Sequence, residues 1–164
     1  MLMLLMHIAK DQYALRSSQI VEIVPKVSLR TVPQAPPEVA GLMNFRGEIV
    51  VVIDLCQLVQ STACNDSLSS RIVVVEYRNR AGVVRRLGLL AERITEMIDR
   101  NEEDFKASAL NLEKTPFLGG VSIDERGMLQ YLVVEKLVAD SLLHTLLPAE
   151  MPQEPGDQGV AEIA

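Results

Sequence analysis

The sequence has no tryptophan and only three tyrosines and three phenylalanines, so it offers few ring faces for stacking bases or sugars. It also lacks an excess of positive charge. Sixteen Lys and Arg stand against 22 Asp and Glu, a formal charge of −6, whereas a general nucleic-acid binder needs a basic face. No Lys or Arg follows Lys136, while Asp140, Glu150, Glu154, Asp157 and Glu162 remain, so the end of the chain is acidic. Two cysteines, Cys56 and Cys64, are too few for a disulfide framework, and reduced thiols in a cytosolic compartment are the simplest expectation. His7 and His144 lie at opposite ends, and the Cys56–Cys64 spacing matches no zinc knuckle, so no metal is expected. Gly119-Gly120 is followed by no phosphate-loop lysine, and Gly-x-Ser-x-Gly does not occur. Neither a catalytic constellation nor a cofactor site is expected. The apolar start, Met1 to Met6, has no basic flank or cleavage site and is too short for a signal peptide or a membrane span. It reads as a first strand.

What the chain does have is aliphatic: Val, Ile and Leu supply 51 of the 164 residues, enough to bury a core. They fall in short runs at 2–8, 19–24, 48–54, 71–77, 83–90, 93–98, 117–123 and 128–134, separated by turn signals such as Arg46-Gly47 and Asn79 to Gly82. Such runs, rich in Val and Ile, predict strands, and so many at close spacing predict small closed barrels, which remove sheet edges. Helical signals are few. Pro36 to Ala40, before Gly41, predicts one short turn, and Asp54 predicts the cap of another short helix. Val134, Val138, Leu142 and Leu146 recur every four residues and predict a C-terminal helix stopped by Pro148. Residues 1–148 then form one domain of two barrel sub-domains, and 149–164 an acidic, mobile tail.

Three charged groups invite a functional reading. Asp99, Glu102, Glu103 and Asp104 could hold a cation, but lack the alternating pattern of a calcium loop and read as a solvated surface. Arg78, Arg80, Arg85 and Arg86 flank a hairpin turn. They suit either an acidic partner or a charged edge that blocks strand addition, and the second is the commoner arrangement. Glu22 is the single charge inside the run Ile20 to Val24, and Arg46 is a cation between two apolar runs. They either meet and fix how two segments pack, or both face water.

The stretch 41–55 reads Gly-x-x-Asn-x-Arg-Gly-x-x-x-x-Val-x-Asp-Leu. This pattern resembles the central signature of the CheW-like adaptor family of bacterial chemotaxis. The flanks agree in order: Tyr13-Ala14-Leu15, Ile20-x-Glu22-Ile23 and Pro33-x-Ala35-Pro36 before it, then Gly88 to Ile94, Phe117 to Val121 and Glu135-Lys136-Leu137 after it. The chain departs from the family at Val51, where proline is usual, at Cys56, where a polar residue often follows Asp-Leu, and at Ala91-Glu92, where Val-Asp is common. The resemblance implies a mostly β fold of two intertwined SH3-like five-stranded barrels. It implies a cytoplasmic, non-catalytic adaptor, recruited to receptor arrays at the inner membrane without inserting into it. The implied partners are the regulatory domain of a CheA-type histidine kinase and the cytoplasmic tip of a chemoreceptor, with no nucleic acid. An accessory adaptor of a surface-sensing or pilus-motility pathway is the alternative. Carried over by position, the resemblance implies partner contact at Ile20, Glu22, Gly41, Asn44, Arg46 and Gly47. An apolar groove from Ile20, Val24, Val39, Leu42 and Val50, rimmed by Glu22 and Arg46, would suit an amphipathic receptor helix.

Overall fold

The runs Ile49–Ile53 and Ile72–Val75 are apolar at every position, and a strand with one wet face would alternate. The computed structural model, which describes residues 1–65, 67–107 and 115–146, accounts for this. Among these residues, β1 (Leu2–Ile8), β2 (Asp11–Arg16), β8 (Arg93–Asp99), β9 (Leu118–Asp124) and β10 (Gly127–Leu132) form one sheet in the order β8-β1-β2-β10-β9. The second sheet contains β3 (Ile20–Pro25), β4 (Val39–Phe45), β5 (Glu48–Asp54), β6 (Arg71–Arg78) and β7 (Val84–Ala91), in the order β3-β6-β7-β5-β4. The chain leaves the first sheet after β2, completes the second and returns at β8, so the two units are intertwined.

Each sheet curls on itself, and the central strands are buried on both faces. In β5, Val50 and Val52 join Met43, Phe45, Ile72 and Val74 inside the second barrel. Val51 and Ile53 point the other way, into a core shared with Leu4, Met6, Ile8 and Leu15 of the first unit. In β1 the same alternation sends Met3 and Leu5 into the first barrel beside Ala14, Ile98 and Leu129. Two barrel interiors and one shared core therefore use every residue of these runs. Val51, where the resemblance leads one to expect proline, is 1% exposed and pairs with both Leu42 and Leu87, a position that proline would break.

Charged pairs cross both barrel seams. The edge strands of the first sheet, β8 and β9, are tied by Arg100–Asp124, and Arg126 of the β9–β10 turn reaches Glu96 of β8. The edges of the second, β3 and β4, are tied by Glu22 and Arg46.

The expected strands are present, joined by β2, which lies in a segment whose apolar run is short. Pro36 to Ala40 is not helical. A turn closes with the Val39 N–H donating to the Pro36 carbonyl, and Val39 and Ala40 already belong to β4. α1 (Leu55–Gln60) begins as predicted, with Asp54 accepting from the Gln57 N–H at 3.0 Å. The C-terminal helix is shorter than its periodicity suggests. Val134 lies in a 3-10 turn, Val134–Lys136, and α2 spans only Asp140–Leu146. Pro148 and the tail at 149–164 lie outside the described residues. The arginine-flanked hairpin guards no edge, since β6 and β7 are interior strands.

The cysteines also depart from expectation. Cys56 and Cys64 are joined as a disulfide, with Cα atoms 5.1 Å apart. The capped turn of α1 buries Cys56, and the chain leaving α1 folds back to bring Cys64 beside it. Sequence spacing alone does not reveal that return.

Candidate protein-interaction site

The β4–β5 hairpin closes on two residues. Arg46 and Gly47 have φ of +51° and +86°, the left-handed pair that matches the twist of a two-residue hairpin. Gly47 takes this conformation easily, and Arg46 is held in it. The Asn44 side-chain oxygen accepts from the Gly47 N–H at 2.8 Å and locks the turn. The Arg46 guanidinium stands 5.0 Å from the centroid of the Phe45 ring and donates to the Glu22 carboxylate at 2.7 Å. Of the two arrangements the sequence allows, the pair therefore meets. It does so at the surface, with side-chain exposures of 70% for Arg46 and 38% for Glu22.

Gly41 is needed for a different reason. Its φ is +150°, and a Cβ there would sit 2.6 Å from the Arg30 carbonyl oxygen. Arg30 and Leu42 exchange two backbone hydrogen bonds of 2.9 Å, so a bare backbone at Gly41 lets the 26–30 segment lie against β4. Ile20 opens β3 and is half-buried against the shared core, as are Val39 and Leu42. The structure thus brings Glu22 to Arg46 and Asn44 to Gly47, and places Ile20 and Gly41 on the two edge strands of the same barrel.

The predicted groove needs two corrections. Val50 is 1% exposed inside the barrel and lines no surface, and Val24 packs against that same barrel interior and not beside Ile20, Val39 and Leu42. Ile49, the neighbour of Val50, is 47% exposed, and strand alternation puts it on the face that carries Val51 and Ile53, where the shared core reaches solvent. An all-apolar run cannot show which of two adjacent residues faces out. On β3, Val21 and Ile23 are also exposed, at 38% and 41%.

A second charged chain continues from the same turn. Glu48 accepts from Arg86 of β7 at 2.7 Å, and Arg86 donates to Glu76 of β6 at 2.9 Å. The Arg86 pKa is raised, first by its hydrogen bond to Glu76 and then by that to Glu48. Sequence reading placed Arg86 in a cluster but missed both acids. Glu76 lies directly opposite Arg86 in register, a signal available once the hairpin is drawn. In the acidic run, Glu102 pairs with Arg16 and Asp104 accepts from the Asn101 N–H, so these carboxylates are already engaged. Among the described residues, Asp54, Cys56 and Cys64 could approach a metal together, but the sulfurs are bonded to each other and Asp54 already accepts from two N–H groups.

Two five-stranded SH3-like barrels sharing one core, with an exposed charged clasp on the seam of the second, define a paired-barrel domain. A family model described as the CheW-like domain matches residues 2–142. The chain therefore belongs to the CheW-like domain family. It is 28% identical over 97 residues to the chemotaxis protein CheW of Helicobacter pylori, and that match takes in 59% of this chain and 56% of the relative. It is similar in structure to the scaffolding protein TtCheW of Thermoanaerobacter tengcongensis, with a TM-score of 0.72 and 24% identity, over 84% of this chain and 87% of that one. That likeness establishes the two-barrel fold.

Proposed function

We propose that this chain is a non-catalytic adaptor that couples a CheA-type histidine kinase to chemoreceptors, in the cytoplasm at membrane-bound receptor arrays. The observation that carries the reading is the Glu22–Arg46 clasp, exposed on the seam of the second barrel in a chain of the CheW-like family. In this reading the receptor tip, a helical hairpin, lies in the groove between the barrels. Its apolar side meets Ile20, Leu42 and Ile49, and its polar side meets Asn44, Arg46 and Glu22. Gly41 and Gly47 serve by shaping the backbone beneath those contacts. The kinase regulatory domain docks barrel to barrel on a separate face. Among the described residues no helix is long and apolar enough to cross a membrane. In this reading the chain reaches the array through its partners.

The test is binding of the purified chain to a receptor signalling fragment and, separately, to the kinase regulatory domain. The wild type should bind both. Arg46→Met should keep its fold and its kinase binding and lose the receptor. Failure of the wild type to bind either partner would overturn the proposal, and equal binding of Arg46→Met to both would remove Arg46 from the site.

A further inference from the structure

The Cys56–Cys64 link occupies an unusual place. Cys56 is fully buried in the first turn of α1, whereas Cys64 is only half-buried and lines an open hollow of about 600 Å3 with Lys26, Ser28, Leu29 and Ala63. Among the described residues from 61 to 69, Cys64 is the one that is not exposed. Hydrogen bonds also hold this stretch: the Cys64 N–H donates to Asp54 at 3.0 Å, the Asn65 N–H to Glu92 at 3.1 Å and the Ser61 N–H to the Gln57 carbonyl at 3.0 Å, and the Ser70 hydroxyl donates to the Asn65 carbonyl at 2.9 Å. The sulfur–sulfur bond is thus the one covalent anchor of residues 61–65, and Cys64 is its more accessible half.

We infer that Cys56 and Cys64 form a reversible dithiol–disulfide clasp, opened by a dithiol that enters at Cys64, whose state sets how firmly residues 61–65 are held to the second barrel. One thiolate of the dithiol attacks the Cys64 sulfur. The Cys56–Cys64 bond breaks, and its electron pair leaves with Cys56, which takes up a proton. The second thiol of the reductant then attacks the mixed disulfide and releases Cys64 as a thiol. The dithiol is oxidised to its own disulfide as the protein pair gains two electrons and two protons. Without the bond, hydrogen bonds alone tether residues 61–65, and such a segment opens locally while the barrels stay folded.

This inference stands apart from the adaptor reading, and its test uses no partner. The full chain is treated with dithiothreitol under native conditions and then with glutathione disulfide. Thiols are counted by alkylation and mass measurement, and amide hydrogen exchange is followed in parallel. Expected are no free thiols before reduction, two after it and none after reoxidation. Exchange at Cys64 and Asn65 should be faster by about tenfold or more in the reduced protein, while its circular dichroism stays that of the folded barrels. Cys64→Ser should match the reduced protein and ignore the reductant. The inference is overturned if the pair is already free thiols in air-equilibrated protein, if dithiothreitol cannot reduce it without unfolding, or if exchange is equal in both states. The oxidised and reduced wild type decide the matter even if the variant does not fold.

Discussion

Arg46 and Glu22 touch each other while much of each side chain stays in water. An ion pair so placed loses little solvation and gains little Coulomb energy, so its worth is about 0–1 kcal/mol, well below the cost of stranding a buried charge. Glu22→Gln, Arg46→Met and the double variant should each unfold within about 1 kcal/mol of the wild type in urea. A loss of 3 kcal/mol or more in either single variant, recovered in the double, would show a buried pair instead. Gly41 should behave differently. A methyl group there meets the Arg30 carbonyl in a backbone region that L residues avoid, so Gly41→Ala should cost more than about 1 kcal/mol and free the 26–30 segment to faster amide exchange. Gly47→Ala meets open space and should cost only the conformational penalty, about 1–2 kcal/mol. Both charged residues were legible as odd members of apolar runs. Their meeting was not, because it depends on closure of a seam between strands 24 residues apart.

At the scale of elements, α1 shows how one side chain serves two structures. Asp54 caps the helix through Gln57 and also holds the return of the chain through the Cys64 N–H. Asp54→Ala should therefore lose about 1–2 kcal/mol, at the upper part of the range for a cap, and should loosen residues 61–65 as well. The disulfide closes a loop with a sequence separation of 8. Loop-closure entropy predicts that its reduction destabilises the fold by about 2.5 kcal/mol, visible as a lower midpoint in thermal melts with and without reductant. An unchanged midpoint would mean that the reduced loop remains fully held by Asp54 and Glu92. The cap was readable from Asp54 ahead of an apolar segment. The cysteine pairing was not, since a separation of 8 permits a link without requiring one.

For the whole molecule, the shared core decides how the protein unfolds. Leu89 is fully buried there, packed among residues of both barrels. Leu89→Ala should cost about 2–5 kcal/mol, and both barrels should melt in one transition. Separate transitions, followed by probes placed in each barrel, would show that the units fold independently. The same core sets an alkaline limit. Burial, and then the charge of Asp11, raise the Tyr13 pKa above the ordinary value of 10.0. The unfolded chain gives up its tyrosine proton first, so the stability contributed is intact below about pH 10 and is lost as pH rises through the folded pKa. Tyr13→Phe should flatten that alkaline decline in a stability–pH series.

The sequence by itself determined the β class, most of the strands, the α1 cap and the tight turn at Arg46-Gly47, because these depend on local conformational preference and on runs a few residues long. It also carried the family signature at 41–55, where Gly47, a turn asparagine and a capping aspartate each answer a local demand. Tertiary structure alone decided which face of each apolar run enters a barrel and which enters the shared core, since an unbroken run has no period to read. It alone replaced Val50 with Ile49 at the groove, brought Glu22 to Arg46 across a closed seam, and joined Cys56 to Cys64. Each of these depends on where distant segments meet, and that is set by the closure of two barrels around one core.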